Sequence, residues 1–114
     1  MTVDEFRTLA RAQPEAVESA HFGQPDFRVG NKIFAGLDRS NSLGTLKLTP
    51  EDQSLLIEAC GNAAFPAAGS WGAKGWTKIA LADVSAADLG FWMQRAWHIT
   101  APPSLLRRHD IVED

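Results

Sequence analysis

The sequence predicts an α+β domain: an antiparallel sheet of about five strands with helices packed on one face, in the order α-β-β-β-β-α-β-α. Three observations carry this expectation. Segments with helical spacing of apolar residues stand near both ends and in the middle of the chain. Short alternating segments lie between them. Turn and capping residues mark the joints.

The elements follow in order. Thr2-Val3-Asp4-Glu5 fits a capping box, and Val3, Phe6, Leu9 and Ala10 recur at helical spacing until Pro14, so the first helix runs over about residues 3 to 13. Ala16 to Phe22 reads as a short strand left at Gly23. Asp26 to Val29 and Lys32 to Leu37 flank Gly30-Asn31, a favoured two-residue hairpin turn. After a polar loop, Leu43 to Leu48 is a further strand. Thr49 caps the second helix, Pro50 takes its first position, and Glu51 and Asp52 meet the positive end of the helix dipole. Its inward stripe is Leu55, Leu56, Ala59 and Cys60, and Gly61 ends it. A glycine-rich loop over Gly69–Gly75 then leads into a strand from Trp76 to Ala82. Ser85 to Asp88 caps the third helix, whose apolar face is Leu89, Trp92, Met93, Ala96 and Trp97. Pro102-Pro103 breaks it, and Ser104 to His109 forms a last turn of helix.

The chain reads as one domain, residues 1–114, of a size that buries about two-thirds of its unfolded surface. With 45% hydrophobic and 22% charged residues it is globular rather than disordered. No apolar run is long enough to span a bilayer, and the acidic start MTVDEF lacks a basic region followed by an apolar stretch. A cytoplasmic protein with no membrane association is expected. The single cysteine, Cys60, forms no internal disulfide and no metal-binding pair.

A net charge of −3 weighs against a nucleic-acid binder, yet all four lysines lie in the middle of the chain while acids crowd the helical segments. Alternation along the strands gives two faces. Phe27, Val29, Ile33, Ala35, Leu37, Leu46, Leu48, Ile79 and Leu81 belong beneath the helices. Arg28, Lys32, Phe34, Thr45, Lys47, Trp76 and Lys78 face the other way. That second set mixes cations with rings, one physical recipe for holding a single strand: cations meet phosphates and rings stack on bases. It is also what ordinary solvent-facing strands look like, with lysines that guard edges. The assignment depends on register, which one bulge reverses.

The loop GSWGAKGWTKIAL places Trp71 and Trp76 among glycines, with Lys74 between them. A core plug, a lid over a small ligand and a stacking platform all remain open for these rings. No catalytic constellation is visible. His21, His98 and His109 are far apart, Cys60 sits on an apolar helix stripe, Ser70 lacks the second half of a nucleophile elbow, and the glycines precede a strand rather than a helix.

The segments PDFRVGNKIFAGL (25–37), LKLTPEDQ (46–53) and WGAKGWTKIAL (71–81), ahead of Ala96-Trp97, resemble the MmcQ/YjbR family in order and spacing. The likeness spans nearly the whole chain. It implies a CyaY-like fold, the architecture of frataxins, and a DNA-binding role of the double-wing type; it brings no agreed enzymatic activity. Phe27, Lys32, Phe34, Lys47, Lys74 and Trp76 stand where the family pattern has similar residues. The commoner pattern has an asparagine before the lysine and another after the tryptophan, where this chain has Ala73 and Thr77. A frataxin-like iron site would need a carboxylate ridge. Asp4 and Glu5 are the only adjacent acids of the first helix and share it with Arg7 and Arg11, so no metal is expected.

The expected function is therefore a non-enzymatic domain binding DNA or RNA. Its phosphate contacts would be Arg28, Lys32, Lys47, Lys74 and Lys78, with Phe34 and Trp76 as apolar partners, and it would need no cofactor. The alternative is a protein- or small-ligand-interaction module with the Trp71/Trp76 loop at its cleft.

Overall fold

The computed structural model describes residues 1–40 and 42–108. Helix α1 (Val3–Arg11) opens on the capping box: the Glu5 amide donates to Thr2 Oγ1 over 3.1 Å and the Thr2 amide to Glu5 Oε1 over 2.9 Å. Strands β1 (Val17–His21), β2 (Gln24–Val29), β3 (Lys32–Asp38) and β4 (Leu43–Lys47) follow, then α2 (Pro50–Cys60). Next come β5 (Ala64–Pro66), a single helical turn α3 (Ser70–Ala73), β6 (Trp76–Ala80), α4 (Ala86–Thr100) and α5 (Pro103–Arg108).

All six strands join one antiparallel sheet in the order β1-β2-β3-β4-β6-β5. The α+β class and the helices on one face agree with the sequence reading; among the described residues the strands number six rather than five. The extra strand is β5, too short to show alternation and ended by a proline, which an edge strand tolerates. Within the expected loop, Ser70–Ala73 closes a helical turn. The terminal helix is described over Pro103–Arg108, and His109 lies outside the described residues.

Helices α1 and α4 cover one sheet face. Phe6 of α1 and Met93, Ala96 and Trp97 of α4 meet Phe27, Ala35, Leu46 and Ile79 of the strands in one buried cluster. Trp97 fills its site without stranding a polar atom, because its Nε1–H donates to Pro14 O over 2.9 Å.

Helix α2 departs from the expected apolar stripe. Leu56 is buried, but Leu55 is 54% exposed and Ala59 faces solvent. The inner face carries Asp52 and Gln53 instead. Asp52 pairs with Arg95 of α4, N–O distances 2.9 and 3.0 Å, and Gln53 reaches the chain before β6. Apolar periodicity cannot register an inward face made of polar groups with partners.

The larger correction is in the β2–β3 ladder. Gly30 (φ +56°) and Asn31 (φ +66°) form the expected tight turn. The register then shifts: Arg28 pairs with Ile33, but Phe27 pairs with Ala35, leaving Phe34 as the extra residue of a bulge. Beyond the bulge the faces are as read; before it they invert. Phe34 is fully buried in the core, and Ile33 turns to the open face. Lys32 pairs with Val29, a core residue, and directly opposed residues share a face. It is an exposed hairpin residue on the helix side.

Candidate functional site: a cleft on the uncovered sheet face

One rung of the sheet runs across all six strands on the uncovered face: Ser19, Asp26, Gly36, Thr45, Lys78 and Phe65. Gly36 presents no side chain, so the middle of this rung is low. Above it lies a cleft of about 520 Å³, whose walls include His21, Asp38, Thr45, Trp71, Trp76 and Lys78.

The chain before β6 builds one wall. Gly75 holds φ +108°, and a Cβ there would come within 1.8 Å of Leu48 O. A Cβ on Gly72 would come within 2.1 Å of Ala67 O. Only glycine allows these backbone approaches. Gln53 fixes the turn from below: its Nε2 lies 3.0 Å from Gly72 O, 3.1 Å from Trp76 O and 3.0 Å from Thr77 Oγ1. The Thr77 hydroxyl in turn donates to Gly75 O over 2.9 Å. Thr77 is therefore a buried polar group with both roles of its hydroxyl used.

This anchoring turns Trp71 outward. Its ring is 60% exposed and meets Trp76 edge-on, centroids 6.3 Å apart at 75°. Each ring carries an ammonium: Lys74 Nζ lies 5.5 Å from the Trp71 centroid and Lys47 Nζ 5.8 Å from that of Trp76. Lys47 also donates to Lys74 O over 2.6 Å. Burial, and then the charge of Lys74, hold the Lys47 pKa below the ordinary lysine value. Lys78 donates to Thr45 Oγ1 over 2.9 Å in the adjacent rung position. Among the described residues none of these three lysines makes an ion pair within 4.0 Å.

The β1–β2 side of the same sheet face is electrostatically different. The Asp26 carboxylate is fully buried and accepts from Arg28 Nε at 2.8 Å and Nη2 at 3.1 Å, with His21 Nδ1 at 2.8 Å. The Arg28 hydrogen bond above all, helped by His21, holds Asp26 below the usual carboxylate range against the effect of burial. Arg28 thus keeps its place on the open face but spends its guanidinium on Asp26.

Of the expected site residues, Lys47, Lys74, Trp76 and Lys78 come together at the β4–β6 side of the cleft. Arg28 shares the face and is neutralised; Lys32 and Phe34 do not belong to it. The expected separation of charge is partial. Asp26 and Asp38 stand on the open face, and Arg7, Arg11, Arg95, Arg107 and Arg108 sit on helices. Sequence reasoning missed Gln53 and the His21–Asp26 pair. The signal for the pair was the two-residue spacer Phe22-Gly23, which makes β1 and β2 a hairpin and brings residues five apart together. Gln53 carried no such signal, because its acceptors lie 19 or more residues away.

Fold and site define an α+β domain with helices on one side of an antiparallel sheet and an aromatic, lysine-bearing cleft on the other. The chain belongs to the YjbR family, whose model matches residues 11–99. No curated protein matches it. Among solved structures it is similar to a Deinococcus radiodurans protein with a DUF419 domain. That match has a TM-score of 0.78 and 21% identity, over 97% of this chain and 89% of that one. A Pseudomonas syringae protein is similar with a TM-score of 0.68 and 15% identity, over 88% and 99% of the two chains. These likenesses establish the shared fold. Among the described residues no helix is long and apolar enough to cross a membrane, and no group of three or more His, Cys, Asp or Glu side chains is placed to hold a metal ion.

Proposed function

We propose that this YjbR domain is a non-enzymatic binding module whose open sheet face receives a nucleotide unit of single-stranded DNA or RNA. The observation that carries this reading is the pair of tryptophans at the cleft, each with a lysine seated on its ring and Lys78 beside them. A base offers a planar partner to the exposed Trp71 ring, and a phosphate offers an anion to three lysines that have no carboxylate partner among the described residues.

The test is tryptophan quenching by an oligothymidylate across a salt series. Three lysine–phosphate contacts give a log–log slope of about −2, since each contact on a single strand contributes ~0.7. Lys74→Met should lower that slope by ~0.7. No binding at low salt ends the proposal.

A second reading has its own support. The cleft is small, about 520 Å³, and Asp26 cancels the charge of Arg28. Both features suit a free small ligand better than a long polyanion. Saturable quenching by a mononucleotide or other metabolite, insensitive to salt and not improved by a longer strand, decides for it.

A further inference from the structure

The turn between β1 and β2 breaks a local rule. His21 and Gln24 are paired, so the loop is the two residues Phe22 and Gly23, with φ +50° and +77°. Both values are positive, the backbone of a tight hairpin turn that favours Asn-Gly. Phenylalanine is a poor choice there, since a bulky side chain at positive φ is strained. It gains no burial in return: Phe22 is 99% exposed, the most open large apolar side chain described. Among the described residues its one ring contact is edge-on with His21, centroids 5.9 Å apart. His21 lines the cleft and is itself held by buried Asp26. A strained, exposed ring in contact with a cleft-lining residue is where a sequence departs from local preference for function.

We infer that Phe22 is a second stacking platform, for a base further along the same single strand whose first base lies on Trp71. This rests on the nucleotide reading above and deepens it, because it makes the ligand a strand and not a free nucleotide. His21, the neighbour of Phe22 at the end of β1, and the Trp71/Trp76 wall before β6 both line the cleft. Strands β1 and β6 are four interstrand steps apart, about 19 Å at ~4.8 Å each. At ~3.4 Å of rise per stacked nucleotide a single nucleotide does not cover that distance, and a strand of several does. The path between the two ends crosses Lys78, Thr45 and the bare Gly36. It then reaches the half-exposed His21, which with Arg28 covers and offsets the buried Asp26 carboxylate. A protein partner gripping Phe22 would have no use for a cleft that leads away from it.

The variant Phe22→Asn separates the ring from the fold, because it creates the preferred Asn-Gly turn and should hold or raise thermal stability. Wild type, Phe22→Asn and Phe22→Trp are titrated with an eight-nucleotide oligothymidylate and with thymidine monophosphate at low salt. Loss of one stacked base should weaken octamer binding by Phe22→Asn roughly 5- to 150-fold. Phe22→Trp should bind as wild type does, and the monophosphate should not distinguish the three. Equal octamer binding by Phe22→Asn and wild type overturns this inference alone. A parallel loss of monophosphate binding in Phe22→Asn also overturns it, by placing Phe22 in the first nucleotide's site. Failure of wild type to bind either ligand overturns the nucleotide reading as well.

Discussion

Gln53 of α2 and Thr77 of β6 meet across 3.0 Å, both buried, and the Thr77 hydroxyl passes the contact on to Gly75 O. This pair ties the helix side of the sheet to the turn that presents Trp71 on the other side. Gln53→Leu keeps the bulk and removes the donor. Leaving Thr77 short of a partner should destabilise the protein by about 1–3 kcal/mol. Urea unfolding measures the loss, and near-UV circular dichroism should show weakened tryptophan bands in the folded variant. An unchanged spectrum and midpoint would mean that the turn holds without the clamp.

Two glycines with positive φ should respond very differently to alanine. At Gly75 the new Cβ would meet Leu48 O at 1.8 Å, in the same residue whose amide donates to Gly75 O over 3.1 Å and anchors the β4 end. Gly75→Ala should cost more than the common range of about 0.5–3 kcal/mol. Gly23, at φ +77°, has nothing within 4 Å of its Cβ position. Gly23→Ala should cost only the left-handed backbone penalty of about 1–2 kcal/mol. Thermal melts of the two variants side by side check the order.

Asp26 sets a dependence on pH. Its folded-state pKa is depressed by Arg28 first and His21 second. A depressed carboxylate contributes stability that is fully present above the unfolded value, near 4, and is lost as pH falls through the folded value. Glu18, held down by its hydrogen bonds to Arg7, acts in the same direction. Wild type should therefore lose stability below about pH 4. Asp26→Asn should be less stable at pH 7 and should converge on wild type as the pH is lowered. Urea midpoints at three pH values between 3 and 7 test this; parallel curves would contradict it.

The bulge makes a sharp contrast between neighbours. Phe34→Ala empties a fully buried site and should cost about 3–5 kcal/mol. Lys32→Ala, two residues away on the exposed hairpin, should change stability by no more than about 0.5 kcal/mol. Lys32→Ala should also leave the salt slope of oligothymidylate binding unchanged, whereas Lys78→Ala should reduce it by ~0.7. Denaturation and salt titration of the same two proteins supply both readouts.

The α+β class, three of the helix starts, the Gly30-Asn31 turn and most of the buried strand residues were legible in the sequence. Each is written in neighbouring residues: Thr2 with Glu5, Thr49 with Pro50, and alternation in Leu46, Leu48, Ile79 and Leu81. Lys47, Lys74, Trp76 and Lys78 were legible as a group for the same reason, since alternation and loop spacing place them on one side. Tertiary structure decided the rest, because its causes lie between distant segments. Pairing with β2 put the extra residue at Phe34 and so moved Phe34 and Lys32 off the open face. Asp26 took Arg28 out of the free cations, and Gln53 fixed the turn that exposes Trp71. A local pattern says which residues share a face of one strand. Which face meets the core, and which charge meets its partner, is settled only when the strands dock, since register and ion pairing are properties of two segments at once.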